Sequence, residues 1–156
     1  MKTLLANLLS AFALLAAPAA MAARGQVTLK GDVKLEKTVT VDGQPRLVLD
    51  DPKVVVPGDR LLFSTGYANA GGEAVSNLVV TNPVPPAVVV AEDSAAALQV
   101  SVDGGRSFGS LASLEVRDAA GTARRAAAAD ITHIRWTIAT IAPGASGAVA
   151  DHGIVR

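Results

Sequence analysis

The chain has two histidines, His133 and His152, and no cysteine, so any proton-transfer or metal chemistry has to be assembled around one of two imidazoles. An imidazole becomes part of a nucleophilic centre when a serine and an acid join it, which makes Ser107, Asp103 and Asp130 the residues to weigh. Nothing around them reads as the strand, sharp turn and helix of a nucleophile elbow. His133 sits in an alternating segment and His152 in the tail, the pattern of a solvent-facing strand residue and a terminal one. Two histidines are half of a copper or zinc site, and no third ligand stands at metal spacing. Asp50, Asp51, Asp59 and Asp103 lie in turn sequences, where aspartates either gather calcium or, more commonly, bond their own backbone. Residues 66–72 are glycine-rich but open no helix and contain no lysine, which removes a phosphate cradle. Arg124 and Arg125 read as solvated loop charges. The expectation is a chain that is not an enzyme, with no catalytic, cofactor-binding or metal residues and no cofactor.

Composition narrows the class further. Lys plus Arg and Asp plus Glu are both 14, so no strong field invites nucleic acid or an anionic membrane. The absence of cysteine also excludes disulfides, thiol catalysis and the lipidated cysteine of a bacterial lipoprotein. At 156 residues the chain suits one folded domain able to bury roughly two-thirds of its unfolded surface. Residues 1–22 have a different character: Lys2, an apolar run from Leu4 to Ala17 interrupted only by Asn7 and Ser10, then Pro18 and the small-residue site Ala20, Met21, Ala22. That is the layout of a cleavable secretory signal peptide, with an apolar core shorter than the roughly 20 residues of a membrane anchor. The mature product is expected in a periplasm, outside the cell or on its surface, with no membrane span after cleavage.

The elements that would hold any site are strands. Residues 54–86 form the organising stretch: a valine run, the turn Pro57, Gly58, Asp59, a strand in which Leu61, Phe63, Thr65 and Tyr67 share one face, a second turn at Asn69, Gly71 and Gly72, and a return strand from Leu78 to Thr81. Read alone, it is one hairpin, ended by Pro83, Pro85 and Pro86. Residues 23–32 read as a lead-in or edge strand, residues 33–41 alternate, and Asp42 with Gly43 marks a hairpin turn into residues 46–49. Later strands are expected at 88–90, 98–102, 111–117, 122–125 and 132–138, with a helical turn at 92–97 and a last, weak strand at 148–156. Strands about every ten residues between turn residues are the pattern of an immunoglobulin-like β-sandwich of about seven to nine strands over residues 33–156. Phe63 and Trp136 are expected to fill the space between its sheets.

The order of these pieces resembles a known family. Pro57, Gly58 and Asp59, an aromatic-bearing strand, Asn69 with Gly71, then Thr81, Asn82, Pro83 and Pro85, and late Trp136 followed by Pro143 and Gly144 are similar to the "domain of unknown function 11" family. Its members are immunoglobulin-like modules of exported bacterial and archaeal surface proteins, often in tandem. Here the resemblance covers roughly residues 33–155 once. Asn82 stands where the family usually has Asp, and Asp151, His152 and Gly153 interrupt the last strand. The resemblance implies no catalytic residue. A sandwich of this kind is expected to be a structural or adhesive module whose partner is a protein of the cell envelope, or a second copy of the chain, joined by strand addition at the edge made by the weak last strand and the lead-in residues 25–30. The rival class is a periplasmic protein binding a metal or small ligand through its end loops.

Overall fold

The chain's preference for β-branched residues is realised as two stacked antiparallel sheets in the computed structural model, which describes residues 27–156. The expected signal peptide lies outside the described residues. In chain order the strands are β1 (Val27–Val41), β2 (Gln44–Asp50), β3 (Arg60–Asn69), β4 (Val75–Pro83), β5 (Val88–Val90), β6 (Gln99–Ser101), β7 (Glu115–Arg117), β8 (Ala123–Arg125), β9 (His133–Ile141) and β10 (Ser146–Val155), with one short helix, α1 (Glu92–Ala97), between β5 and β6. One sheet has the order β2-β1-β3-β10-β5 and the other β4-β9-β6; β7 and β8 form a separate ribbon. The two sheets therefore hold eight strands, within the expected number, and the all-β sandwich stands.

Local turn chemistry explains the hairpin that opens the fold. Val41 pairs with Gln44 across two residues, Asp42 at φ 52° and Gly43 at φ 77°, both left-handed, as a two-residue turn matched to strand twist requires. The first half of β1, residues 27–34, pairs with β3 alone, because β2 ends opposite Leu35. Residues 27–32 of the lead-in are thus an edge segment continuous with the longest of the described strands.

The organising stretch folds differently from its reading as a hairpin. β3 hydrogen-bonds to β1 on one side and β10 on the other, while β4 pairs with β9 in the opposite sheet. Both edges of β3 are occupied, so the turn after Asn69 has to carry the chain across the sandwich. The valine run ahead of it lies in a loop, with Val54, Val55 and Val56 exposed. A second correction concerns β10. Far from being a weak closing edge, it is flanked by β3 and β5, and its glycines are what permit close packing. A side chain at Gly153 would collide with Val88 and Phe63, and one at Gly147 with the Tyr67 ring.

The crossing from β3 to β4 and the return from β9 to β10 meet at one end of the sandwich, and Asn69 ties them together. Its side chain, 1% exposed, donates to the carbonyls of Glu73 (2.7 Å), Ile141 (3.1 Å) and Ala142 (3.3 Å) and accepts from the Gly71 N–H (3.0 Å). Its backbone accepts from Gly144 (2.8 Å) and donates to Ala145 (2.9 Å). Two turns flagged separately in the sequence, Asn69 with Gly71 and Pro143 with Gly144, are one structure. At the other end Gly58, at φ 95°, donates to the Val155 carbonyl (2.9 Å), and the Asp59 carboxylate accepts from Val56 N–H (2.8 Å), docking that turn on the end of β10.

Apolar side chains between the sheets fall into two clusters. One gathers Val90, Ala95, Val100, Ile131 and Ile134, with Trp136 against it; the other gathers Leu35, Leu61, Val88 and Val155, with Phe63 against it. Both rings face the interior, half-buried. Replacing Asn69 by Ala strands three carbonyls, that of Ile141 buried and those of Glu73 and Ala142 part-buried, and one N–H; a fully buried group left unpaired costs about 1–3 kcal/mol. Partial rehydration at the sandwich end leaves an expected loss on the order of 3 kcal/mol in chemical denaturation; a loss below about 1 kcal/mol would contradict the clamp.

Candidate functional site

Between the two clusters the core is left unfilled. A cleft of about 360 Å³ is lined by Phe63 and Thr65 of β3, Val88 and Val90 of β5, Ile134 of β9, Asp151 of β10 and the β4 end with the loop that follows it, opening past Leu29 and Gly31 of β1. The three-stranded sheet is too narrow to roof a five-stranded one, so the inner face of β1 is uncovered at Leu29 and Gly31; Leu29 is 51% exposed, and a side chain built at Gly31 would meet nothing within 4 Å. The expectation that Phe63 and Trp136 would leave no room for a pocket is overturned. Two half-buried rings in separate clusters cannot fill a gap that lies between those clusters.

Among the described residues, one ionisable group lines the cleft. Asp151 points inward because it lies opposite Phe63 in the β3–β10 register, and paired residues of an antiparallel ladder share a face. It is 5% exposed, and its Oδ1 has no hydrogen-bond partner. Burial pushes its pKa up to about 6, opposed in part by the neighbouring His152. Beside it, Asn82 donates from Nδ2 to the Thr65 hydroxyl at 2.9 Å, linking the two sheets across the cleft wall. Asn82 is therefore a neutral donor spent on Thr65. Pro85 is on the same wall and accepts from Val88 N–H (2.9 Å) to close the turn into β5.

A polar network on the opposite face of the larger sheet collects residues that sequence spacing could not have joined. His152 Nε2 lies 2.9 Å from Glu36 Oε1, and His152 Nδ1 lies 3.4 Å from Ser94 Oγ. Glu36 also accepts from Arg60 Nε (2.8 Å), and Arg60 reaches Asp93 (2.6 Å). The trio Ser94, His152 and Glu36 has the residue types of a hydrolase triad. Its serine oxygen, however, already accepts the His152 backbone N–H at 2.9 Å, and the arrangement fastens α1 to β10 and β1. Long-range pairing of β1 with β3, and β3 with β10, is what assembles it.

The other sequence candidates are dispersed. Ser107 meets Asp103 (2.6 Å) and neither histidine, in a loop where Asp103 also accepts from Ser101 Oγ (2.7 Å) and the N–H groups of Arg106 and Ser107. These bonds hold the Asp103 carboxyl far below the usual range and make it a poor base. Residues 105–109 spell Gly-Arg-Ser-Phe-Gly, a literal Gly-x-Ser-x-Gly that the sequence reading passed over, yet the segment is a loop closed by a Val100–Gly109 bridge and not a strand-to-helix elbow. His133 sits beside Thr132 Oγ1 (3.1 Å) and over Gly105. Asp130 is clasped by Arg124 through two bonds of 2.7 Å, which with the Ala127 N–H lower its pKa to about 2. Arg124 is therefore an ion-pair partner rather than a free loop charge. Asp50 and Asp51 pair with Lys37 and Lys34. Among the described residues, no three His, Asp or Glu side chains converge as a metal site would need.

Comparison with protein-family models, curated proteins and solved structures returns no match for this chain.

The buried acid makes stability pH-dependent. The folded chain holds the Asp151 proton up to about pH 6, whereas an unfolded aspartate releases it near 3.8, so the stability that proton confers is lost as pH rises between those values. The cost at neutral pH is on the order of 2 kcal/mol. Asp151→Asn should be more stable than the parent at pH 7.5 and nearly equal at pH 4. Thermal melts giving the same parent-to-variant gap at both pH values would show that the carboxyl is not buried as described.

Proposed function

We propose that the chain is a non-catalytic, exported β-sandwich module that binds a protein of the cell envelope by receiving a partner strand on the free edge of β2. The observation that carries this reading is the edge itself. β2 hydrogen-bonds to β1 on one side and, among the described residues, to nothing on the other, and it presents Leu47 at 64% and Leu49 at 49% exposure. Natural sheets protect such edges with charge, proline or a covering loop, and an apolar one is a template for strand addition. Pro45 and Arg46 protect only the turn end of β2, and the exposed Val54, Val55 and Val56 extend the apolar surface beside it.

Export is supported by the signal-like first 22 residues and by the resemblance to exported surface modules. No helix of the described residues is long and apolar enough to cross a membrane. The non-catalytic reading rests on where the reactive side chains are committed: Ser94 and His152 to holding α1, Ser107 to Asp103. The edge expected from the weak last strand and the lead-in residues 25–30 is replaced by the β2 edge for docking, because β10 has neighbours on both sides.

The double substitution Leu47→Lys, Leu49→Lys places charge on the edge without touching the core. Crosslinking the mature protein in cells should show a partner adduct that falls at least tenfold in the variant, with the melting temperature unchanged. An adduct of undiminished yield would rule out the β2 edge as the docking surface.

A further inference from the structure

We propose that the cleft between the sheets is a binding site for a small primary amine carried on an apolar body, with the ammonium group seated on Asp151. The inference is independent of strand docking, since the cleft and the β2 edge share no residue. Three observations carry it. The cleft's volume of about 360 Å³ falls at the small end of the ~300–1,000 Å³ range of ligand pockets, and its wall is apolar apart from a few converging polar groups, as such pockets are. Asp151 is 5% exposed with Oδ1 unpartnered, and an acceptor buried without a donor is costly unless something supplies one. Among the described residues the cleft wall supplies none, because the lining strands bring no Lys, Arg or His: Leu29 and Gly31 come from β1, Phe63 and Thr65 from β3, Val88 and Val90 from β5, Ile134 from β9.

The missing donor must therefore come from a ligand or be a proton. A ligand that fits needs an apolar body to lie against Phe63, Val84, Val88 and Ile134, and a compact cationic donor at one end. Asn82 reinforces the polarity of that end: its Nδ2 is committed to Thr65, which leaves Oδ1 as a second acceptor for an ammonium N–H. An anion is disfavoured by the same carboxyl, and a divalent metal finds no three ligands among the described residues. The His152 ring, on the adjoining residue, belongs to the network on the sheet's opposite face with Glu36 and Ser94, and is not among the cleft-lining groups.

The test is calorimetry on the mature protein with 2-phenylethylamine and its neutral counterpart 2-phenylethanol. At pH 7.5 the amine should bind at least tenfold more tightly than the alcohol. In Asp151→Asn, which removes an isolated buried charge and should fold well, the preference should shrink to less than about twofold. At pH 5, where the carboxyl takes up its proton, amine binding to the parent should weaken about tenfold. Gly31→Leu projects a side chain into open space at the mouth and should abolish binding of both probes with the fold intact. Equal affinity for amine and alcohol, a preference that survives in Asp151→Asn, or no heat from the amine at millimolar concentration would each overturn the proposal and leave Asp151 as a protonated acid in a solvated gap.

Discussion

The sandwich depends on a single buried side chain amide that holds two crossings together. A chain that passes between sheets leaves backbone groups at the turn with no ladder partner, and their burial is affordable only when something else bonds them. Asn69 does this for both crossings at once, giving its two amide hydrogens to three carbonyls from the β3–β4 and β9–β10 connections and its oxygen to Gly71. No apolar residue can replace it, and an aspartate has no N–H to give those carbonyls. With this end fixed, β3 lies between β1 and β10, β4 is set opposite, and the positions of Thr65, Asn82 and Asp151 around the cleft follow.

Much of this was legible in the sequence, and the failures share one physical cause. Alternation identifies which residues face inward along a strand, so the inner faces of β1, β3 and β9 and the Asp42–Gly43 turn were recoverable from pattern and turn chemistry. Alternation carries no information about the neighbour. The Asn69 to Gly72 turn has hairpin composition, and only the engagement of both β3 edges forces it across the sandwich. β10 looked weak because Asp151, His152 and Gly153 interrupt its apolar pattern, yet Gly153, and Gly147 ahead of it, are required where Val88, Phe63 and Tyr67 crowd against a central strand. The trio of Ser94, His152 and Glu36 was invisible because its members are separated by 58 and 116 residues.

The cleft was the feature furthest from reach. An unfilled core is a property of how two sheets of unequal width overlap, and neither sheet's sequence alone encodes the mismatch. One signal was present in the chain, a lone aspartate at an inward position of a strand otherwise suited to packing. Its place in a tail segment made it look like an interruption. Burial turns that residue into the most perturbed acid of the interior, while the aspartates that stood out in the turns, Asp59 and Asp103 among them, serve their own loops. A buried polar group without a partner is where a well-packed chain departs from local consistency, and such departures concentrate where a protein does something.

The cleft rests on β3 being flanked by β10 rather than by β4. Cross-strand proton contacts in an isotope-labelled sample decide this directly. The account predicts contacts between Ser64 and Ala150, and between Phe63 and Asp151, with none between the backbones of β3 and β4. A backbone ladder joining residues 61–67 to residues 78–81 would contradict it, restoring the simple hairpin and removing the cleft.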